Sequence, residues 1–191
     1  MKINNMIKGG KGGGNTKTGL MFEIEKDLVT FLSKQKGYST EKIEGYKKSY
    51  YIYYNKEQVA RTFPTHDLYR FLEKEHNIEW SEVFSKKILP DDALYVVLNN
   101  TVYIIEKKHQ HGAGSVDEKL QTCDYKRKQY KKLFARLNYE VEYIYLLADW
   151  FKDPRYKDTL DYIISVNCQY YFEYIPLQKL GLPVPSNKKY H

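Results

Sequence analysis

The sequence predicts an α/β fold in which helices flank a mixed central β-sheet. Two apolar runs, Ala93 to Leu98 and Thr101 to Ile105, enclose two asparagines, a pattern typical of a β-hairpin. A helical pattern follows up to about Leu137, and a further apolar strand extends from Glu140 to Ala148. A hairpin followed by a helix and a strand needs both antiparallel and crossover connections, so we expect the sheet to be mixed.

The N-terminal segment, residues 1–18, is polar and rich in glycine. This composition favours a flexible arm, which is either simply disordered or becomes ordered on DNA through groups such as Lys17 and Thr18. The remaining part, residues 19–191, is predicted to be one domain. A chain of 191 residues can bury one core but is short for two.

Apolar residues recur at helical spacing from Leu20 to Leu32 and predict a first helix that carries Glu23 on its flank. Further elements are predicted in chain order: strands at Tyr50–Tyr54 and Gln58–Phe63, a helix capped by Thr65 and extending to about Lys74, a helical run at Trp80–Ile88, and, near the C-terminus, a helix at Thr159–Ile164 and a strand at Tyr170–Ile175. The run before the hairpin leads the chain into the segment with the most informative charges.

The hairpin brings charged side chains to one face of the sheet. If Leu98 pairs with Thr101 across a two-residue turn, Asp91 lies opposite Lys108. Because side chains alternate between faces, one face then carries Asp91, Glu106, Lys108 and Gln110. Asp92, Lys107 and His109 point to the other face. A slip of one residue would separate the first group, so the prediction depends on the register.

These residue types suit metal-assisted cleavage of a phosphodiester bond. Two carboxylates, from Asp91 and Glu106, can bind Mg²⁺ while water and substrate phosphate complete its shell. A lysine at position 108 can act on the attacking water or offset charge on the phosphate. The alternative is that these are ordinary solvated strand ends. Both faces of the hairpin are apolar beside the charges, and this favours a site.

The same residues resemble a known nuclease motif. Pro90-Asp91, followed after a spacer by Glu106-Lys107-Lys108, resembles the PD-(D/E)XK signature. The segments EKKHQHGAGSVDEKLQT, from Glu106 to Thr122, and GGGNTKTGLMFE, from Gly12 to Glu23, are similar to segments of a group of type II restriction endonucleases. The resemblance covers both ends of the presumed core and leaves its middle and the C-terminal part mostly unmatched.

That resemblance implies a restriction-endonuclease-like core, Mg²⁺ as cofactor and double-stranded DNA as substrate. It implies that Asp91 and Glu106 bind the metal and that Lys108 acts on the water. Glu23 would be an accessory acidic residue near the site. The sequence departs from the motif by the doubled aspartate, Asp91-Asp92, which leaves open which one is the ligand. The predicted register favours Asp91.

A basic helix is predicted directly after the hairpin. A glycine turn and a capping box at Ser115 and Glu118 predict one continuous helix up to about Leu137. Its surface carries many lysines, among them Lys119 and Lys126. This surface either follows a phosphate backbone, with N–H groups of the helix start facing an anion, or is merely solvated. Ser115, Lys119 and Lys126 are therefore candidate DNA contacts.

Composition limits the classes of function. The net charge of +7 suits a polyanionic partner, although many proteins without nucleic-acid partners are as basic. Two cysteines, Cys123 and Cys168, are too few for a disulfide framework and are expected in a reducing cytoplasm. No apolar run is long enough for a membrane span, and the lysine-bearing start lacks a signal sequence, so we expect a soluble cytoplasmic protein without a membrane partner.

The resemblance thus implies a type II site-specific endonuclease, and a palindromic target would call for a homodimer with two-fold symmetry. Two alternatives remain at this stage. One is a structure-selective or repair nuclease with the same chemistry. The other is a DNA-binding protein without catalytic activity. The recognition sequence and the position of the cut are not readable from the residues, because no segment is identifiable as the one that contacts base edges.

Overall fold

A computed structural model describes residues 21–23, 27–109 and 116–185 of this chain. Strand β1, Met21–Glu23, is followed by helix α1, Leu28–Ser33. The predicted helix from Leu20 to Leu32 is therefore wrong in its first part, and Glu23 lies on a strand. The carboxylate of Asp27 accepts a hydrogen bond of 2.8 Å from the backbone N–H of Thr30 and so caps α1, which fixes where the helix begins.

An antiparallel meander comes next. Strands β2, Tyr38–Lys42, β3, Tyr50–Tyr54, and β4, Glu57–Thr62, pair in sequence, and this confirms the predicted strand pair. Helix α2, Asp67–His76, follows. Thr65 does not cap it as predicted, since His66 holds the cap position and Thr65 has a left-handed backbone with φ of 53°.

The predicted helical run before the hairpin is wrong beyond a single turn. A 3₁₀ turn covers Trp80–Glu82 only. Farther along, the main chain of Ile88 is bonded at both its N–H and its carbonyl to the Tyr69 hydroxyl, at 2.8 and 2.6 Å. Those groups are thereby removed from helical bonding, and Leu89 is disfavoured in a helix because it precedes Pro90. The segment is irregular but held in place.

The hairpin forms, with a longer turn than predicted. Strands β5, Asp92–Val96, and β6, Thr101–Lys108, pair antiparallel, and Val96 rather than Leu98 lies opposite Thr101. A 3₁₀ turn at Val97–Asn99 and a left-handed Asn100, with φ of 53°, close the loop. The shift in register is two residues. Because side chains alternate with a period of two, the paired residues of β5 and β6 keep their predicted faces.

The predicted long helix is interrupted. It consists of α3, Val116–Leu120, and α4, Cys123–Phe134, followed by a 3₁₀ turn at Ala135–Leu137. The break has a local cause, because the carbonyl of Lys119 accepts hydrogen bonds from the hydroxyls of Thr122, at 2.7 Å, and Tyr145, at 3.1 Å. These donors take the place of the helical N–H at position 123, so the helix ends and restarts.

The C-terminal part completes the sheet. Strand β7, Glu140–Leu147, confirms the predicted strand, and helix α5, Lys157–Ser165, confirms the predicted helix with slightly wider bounds. The last predicted strand is divided into β8, Gln169–Phe172, and β9, Tyr174–Pro176, around a left-handed Glu173 with φ of 60°. Strand β9 pairs with β1, outside the main sheet. Short 3₁₀ turns lie at Asp149–Lys152, Pro154–Tyr156 and Leu177–Leu180.

The main sheet is mixed, as predicted, and has seven strands in the order β2-β3-β4-β5-β6-β7-β8. Neighbours are antiparallel up to β6, whereas β6, β7 and β8 are parallel. One face is covered by side chains of α2, α4 and α5, and the other by α1 and the turn at Leu177–Leu180. The protein is thus a mixed α/β structure whose hairpin β5–β6 lies inside the sheet. No helix in the described ranges has the length and apolar character of a membrane-crossing segment.

Candidate active site

Three predicted catalytic side chains converge at one end of the hairpin. The ammonium group of Lys108, Nζ, lies 2.8 Å from Glu106 Oε2 and 3.9 Å from Asp91 Oδ2. Glu106 and Lys108 lie on β6 with one residue between them, so alternation alone places them on one face. Asp91 directly precedes β5, and the observed register continued by one step sets it beside Glu106. The three side chains lie on one face, as the sequence predicts, although Asp91 lies opposite Glu106 rather than Lys108.

The carboxylate of Asp91 is fixed by the neighbouring strand. Its Oδ2 accepts a hydrogen bond of 2.8 Å from the backbone N–H of Lys107. The preceding residue is also held, because the carbonyl of Pro90 accepts a hydrogen bond of 3.1 Å from the backbone N–H of Thr65. The Asp91 side chain is nevertheless 49% exposed, so one side of the cluster is open to solvent.

Two buried tyrosines hold the irregular segment that leads to Asp91. The hydroxyls of Tyr69, on α2, and Tyr130, on α4, both donate to the carbonyl of Ile88, at 2.6 and 2.8 Å. Burial raises the pKa of the Tyr69 hydroxyl to about 12, so it stays protonated and remains a donor at neutral pH. Sequence analysis assigned Tyr130 only to an apolar line, and nothing in the local pattern indicates its bond to residue 88.

Glu106 is a buried carboxylate that lacks a full set of hydrogen bonds. The residue is 3% exposed. Its Oε2 pairs with Lys108, but within the described part of the chain its Oε1 accepts no hydrogen bond and has only the ammonium of Lys126 at 3.4 Å. A buried carboxylate oxygen left in this way is costly unless a cation satisfies it. This oxygen therefore fits a metal ligand.

Lys126 joins the cluster from α4. The sequence suggested a contact with DNA for this residue, whereas the structure places its ammonium against the buried carboxylate of Glu106. The break between α3 and α4 sets the position of this turn of helix, and local sequence patterns do not reveal such a contact. Lys108 and Lys126 together place two positive charges beside the buried carboxylate of Glu106.

The second aspartate belongs to the opposite face. Lys107 Nζ lies 3.1 Å from Asp92 Oδ2, and both side chains are largely buried. Burial raises the pKa of Asp92, and the nearby carboxylates of Asp27 and Asp91 raise it further, while Lys107 opposes them. Asp92 is thus separated from Glu106 by the sheet. The geometry favours Asp91 as the partner of Glu106.

Phenolic groups close the buried side of the cluster. Burial raises the pKa of the Tyr143 hydroxyl well above its usual range, and the negative charge of Glu106 raises it further. Burial also raises the pKa of the Tyr130 hydroxyl, and the neighbouring Tyr69 and Glu106 raise it further. Neither phenol can serve as a base near neutral pH. Proton transfer and metal binding in the cluster therefore depend on its carboxylates and lysines.

The arrangement can bind one hard cation but does not form a closed protein cage. In the described ranges, no group of three or more histidine, cysteine, aspartate or glutamate side chains is placed to hold a metal ion. Two carboxylates, from Asp91 and Glu106, are sufficient for Mg²⁺, which normally keeps several waters and binds substrate phosphate. The unbonded Oε1 of Glu106 supports this fit.

The other predicted site residues are less informative. Lys119 is exposed on α3, and its ammonium forms no ion pair with the described residues. For Glu23 the structure describes the backbone on β1 but not the side chain. The predictions for the following residues lie outside the described residues: Lys17, Thr18, Gln110 and Ser115.

Comparison of the chain with protein-family models, with curated proteins and with solved structures finds no match. The resemblance to PD-(D/E)XK nucleases therefore depends on the motif residues themselves and remains a prediction. What the geometry adds is independent of that resemblance, because the distances among Asp91, Glu106 and Lys108 follow from the fold.

Proposed function

We propose that this chain is a magnesium-dependent endonuclease that hydrolyses phosphodiester bonds in double-stranded DNA. One observation carries the proposal: Lys108 Nζ lies 2.8 Å from the buried Glu106 carboxylate and 3.9 Å from the half-exposed Asp91 carboxylate. Two carboxylates and a lysine on one face, open to solvent on one side, are the groups that metal-assisted phosphate hydrolysis uses. The net charge of +7 favours a polyanionic substrate.

Each residue has a distinct part in the proposed reaction. Asp91 and Glu106 hold the cation, which when bound polarises the scissile phosphate and promotes ionisation of water. Lys108 orients the attacking water or offsets charge that develops on the phosphate oxygens. Lys126 keeps the Glu106 side chain in position from the helix side. No covalent intermediate with the protein is needed.

Within this chemistry we favour a type II restriction endonuclease, which cuts at a short specific sequence. Cleavage of both strands of a palindromic site requires a homodimer with one active site per strand. A structure-selective or repair nuclease of the same fold is the alternative. Digestion of a mixed-sequence plasmid separates the two, because discrete fragments indicate a sequence-specific enzyme, whereas a ladder or nicked circles do not.

The proposal is tested by plasmid cleavage in the presence of Mg²⁺ with variants on the two faces of the hairpin. We expect Asp91→Asn and Lys108→Ala to lower the cleavage rate by roughly 10²- to 10⁴-fold, because each removes a group that acts on the metal, water or phosphate. Asp92→Asn is the matched control, since it removes the neighbouring carboxylate on the opposite face.

The outcomes distinguish the possibilities. Cleavage that is retained in Asp92→Asn and lost in Asp91→Asn supports the assigned ligand. Loss in Asp92→Asn with retention in Asp91→Asn would move the site to the other face of the sheet. A wild-type protein that binds duplex DNA but cuts none of a set of mixed-sequence substrates with Mg²⁺ or Mn²⁺ would contradict the proposed activity and favour a binding protein.

A further inference from the structure

A concave surface extends from the candidate site towards the loop between β2 and β3. A cavity of about 660 Å³ is lined by Asp91, Thr65, Lys47 and Lys48 and, on the α1 side of the sheet, by Asp27, Asp92 and Lys107. A second cavity of about 250 Å³ shares Lys47, Lys48 and Thr65 and also has Arg70 in its wall. The two lysines thus line both cavities, and the larger cavity meets the candidate site at Asp91, whereas Glu106 and Lys108 do not line it.

Some of the charged groups that line these cavities form ion pairs within the described part of the chain, and others do not. In the smaller cavity the acidic groups are already paired, since Arg70 Nη1 lies 2.8 Å from Asp67 Oδ1 and Lys87 Nζ lies 3.8 Å from Glu73 Oε1. Lys47 is exposed, as is Lys48, and among the described residues neither ammonium takes part in an ion pair. Two positive charges that form no ion pair with the described residues therefore face the cavities, while Lys107 in the larger cavity is paired with Asp92.

The loop that carries these lysines is fixed by a buried carboxylate. Asp67, at the start of α2, is 2% exposed. Its Oδ2 accepts hydrogen bonds from the backbone N–H of Lys48, at 2.6 Å, and from the hydroxyl of Ser49, at 3.0 Å. Because the backbone is held in this way, the lysine side chains start from a fixed point and lose less freedom on binding an anion.

The lysines of α4 are either paired with carboxylates or lie away from the larger cavity. Lys126 is paired with Glu106, and Lys128 lies 2.7 Å from Asp124. Lys131 and Lys132 are exposed on the same helix, but neither lines the cavity that contains Asp91. Position relative to Asp91 therefore separates Lys47 and Lys48 from the exposed lysines of α4.

We propose that Lys47 and Lys48 form a phosphate-binding site that holds the DNA backbone beside the cavity leading to Asp91. This inference rests on the proposed function, because it takes the same DNA as ligand and assigns its path over the β2–β3 loop. The phosphate contacts are independent of base sequence and fix the position of the duplex relative to the carboxylates. Release of counterions from the DNA contributes the affinity.

The test compares two double variants that remove the same charge. Lys47→Gln/Lys48→Gln removes the proposed contacts, and Lys131→Gln/Lys132→Gln is the matched control on α4. Binding of a fluorescent duplex is measured by anisotropy in EDTA, where no cleavage occurs, over a range of salt concentrations. We expect the first variant to bind about tenfold more weakly and its slope of log K against log salt to fall by about 1 to 2, whereas the control stays close to wild type.

Three results would overturn the inference: an unchanged salt slope in Lys47→Gln/Lys48→Gln, an equal loss in the control variant, or no binding of duplex DNA by the wild type. The thermal unfolding midpoint is recorded for each variant. If the double variant is unfolded, the single variant Lys47→Gln takes its place, with an expected decrease in slope of about 0.9. Because binding is measured without metal, a wild type that binds through these lysines but does not cut contradicts only the proposed function.

Discussion

Two carboxylates are buried in the described part of the chain, and their surroundings differ. Asp67 is surrounded by donors: the backbone N–H of Lys48, the hydroxyl of Ser49 and the guanidinium of Arg70. Glu106 has two lysine ammoniums near it and one oxygen that accepts no hydrogen bond from the described residues. A fully bonded carboxylate stabilises a fold, whereas an incompletely bonded one is better explained by a ligand.

The role assigned to Asp67 predicts a strong effect on stability. Burial alone would raise the pKa of Asp67, but hydrogen bonds from the backbone at Lys48 and Lys47, from Ser49 and the charge of Arg70 together lower it. We expect Asp67→Asn to reduce the free energy of unfolding at pH 7 by about 2 to 3 kcal/mol, measured by urea denaturation. Asp161→Asn, on the exposed side of α5, is the control and should change little.

The pH dependence follows from the direction of the shift. A carboxyl whose pKa is lower in the folded state stabilises the protein above its unfolded pKa, and this contribution is lost as the pH falls through the folded pKa. The difference in unfolding free energy between wild type and Asp67→Asn should therefore be full at pH 7 and shrink below about pH 4. A difference that stays constant down to pH 3 would show that the charge of Asp67 is not what stabilises the fold.

At the scale of elements, the hairpin was predictable because its information is local. Alternating apolar residues fix which side chains share a face, and the sequence alone therefore predicts that Asp91, Glu106 and Lys108 lie on one face. The length of the turn was not predictable from its two asparagines. The side chain of Asn100 donates a hydrogen bond of 2.9 Å to the carbonyl of Asn138, a contact distant in sequence that favours the longer loop. Because the register shifted by an even number of residues, the paired side chains stayed on their predicted faces.

Helix boundaries failed where tertiary contacts replace helical hydrogen bonds. The carbonyl of Lys119 is occupied by hydroxyls of Thr122 and Tyr145, and the main chain of Ile88 by the hydroxyl of Tyr69. Periodicity along the chain cannot indicate the contacts of Tyr69 and Tyr145, because these residues come from distant segments. The contact of Lys126 with Glu106 was missed for the same reason. The sequence thus predicts which hairpin residues share the face of the site, but it does not predict the contribution of Lys126 from α4.

At the scale of the whole molecule, the sheet determines where the site can be. Hairpin β5–β6 lies between β4 and β7, so its flanks are covered and only its ends can carry charged groups open to solvent. The carboxylates and Lys108 occupy one such end, and the basic loop at Lys47 and Lys48 lines the cavity that reaches Asp91. The described part of one protomer offers one such cluster, so the proposed cleavage of both strands at a palindrome would use a second protomer.

The proposed homodimer predicts a defined product from mixed dimers. A dimer of one wild-type subunit and one Lys108→Ala subunit, isolated with two different affinity tags, retains one intact cluster. We expect it to convert supercoiled plasmid to nicked circles that persist, because only one strand is cut per binding event. Agarose gel electrophoresis over time measures this. Linear product formed as fast as with the wild-type dimer would show that one subunit cuts both strands, and a protein that remains monomeric on DNA would contradict the dimer.

The position of a bound divalent cation tests the proposed site most directly. Crystals of the wild-type protein soaked in Mn²⁺, which shares the oxygen ligands of Mg²⁺, give an anomalous signal that locates the ion. We predict a peak in contact with the carboxylates of both Asp91 and Glu106, and its loss in crystals of Asp91→Asn. A peak beside Asp92 instead, or no peak at this end of the hairpin while Mn²⁺ still supports cleavage, would contradict the assignment of these two residues as the metal ligands.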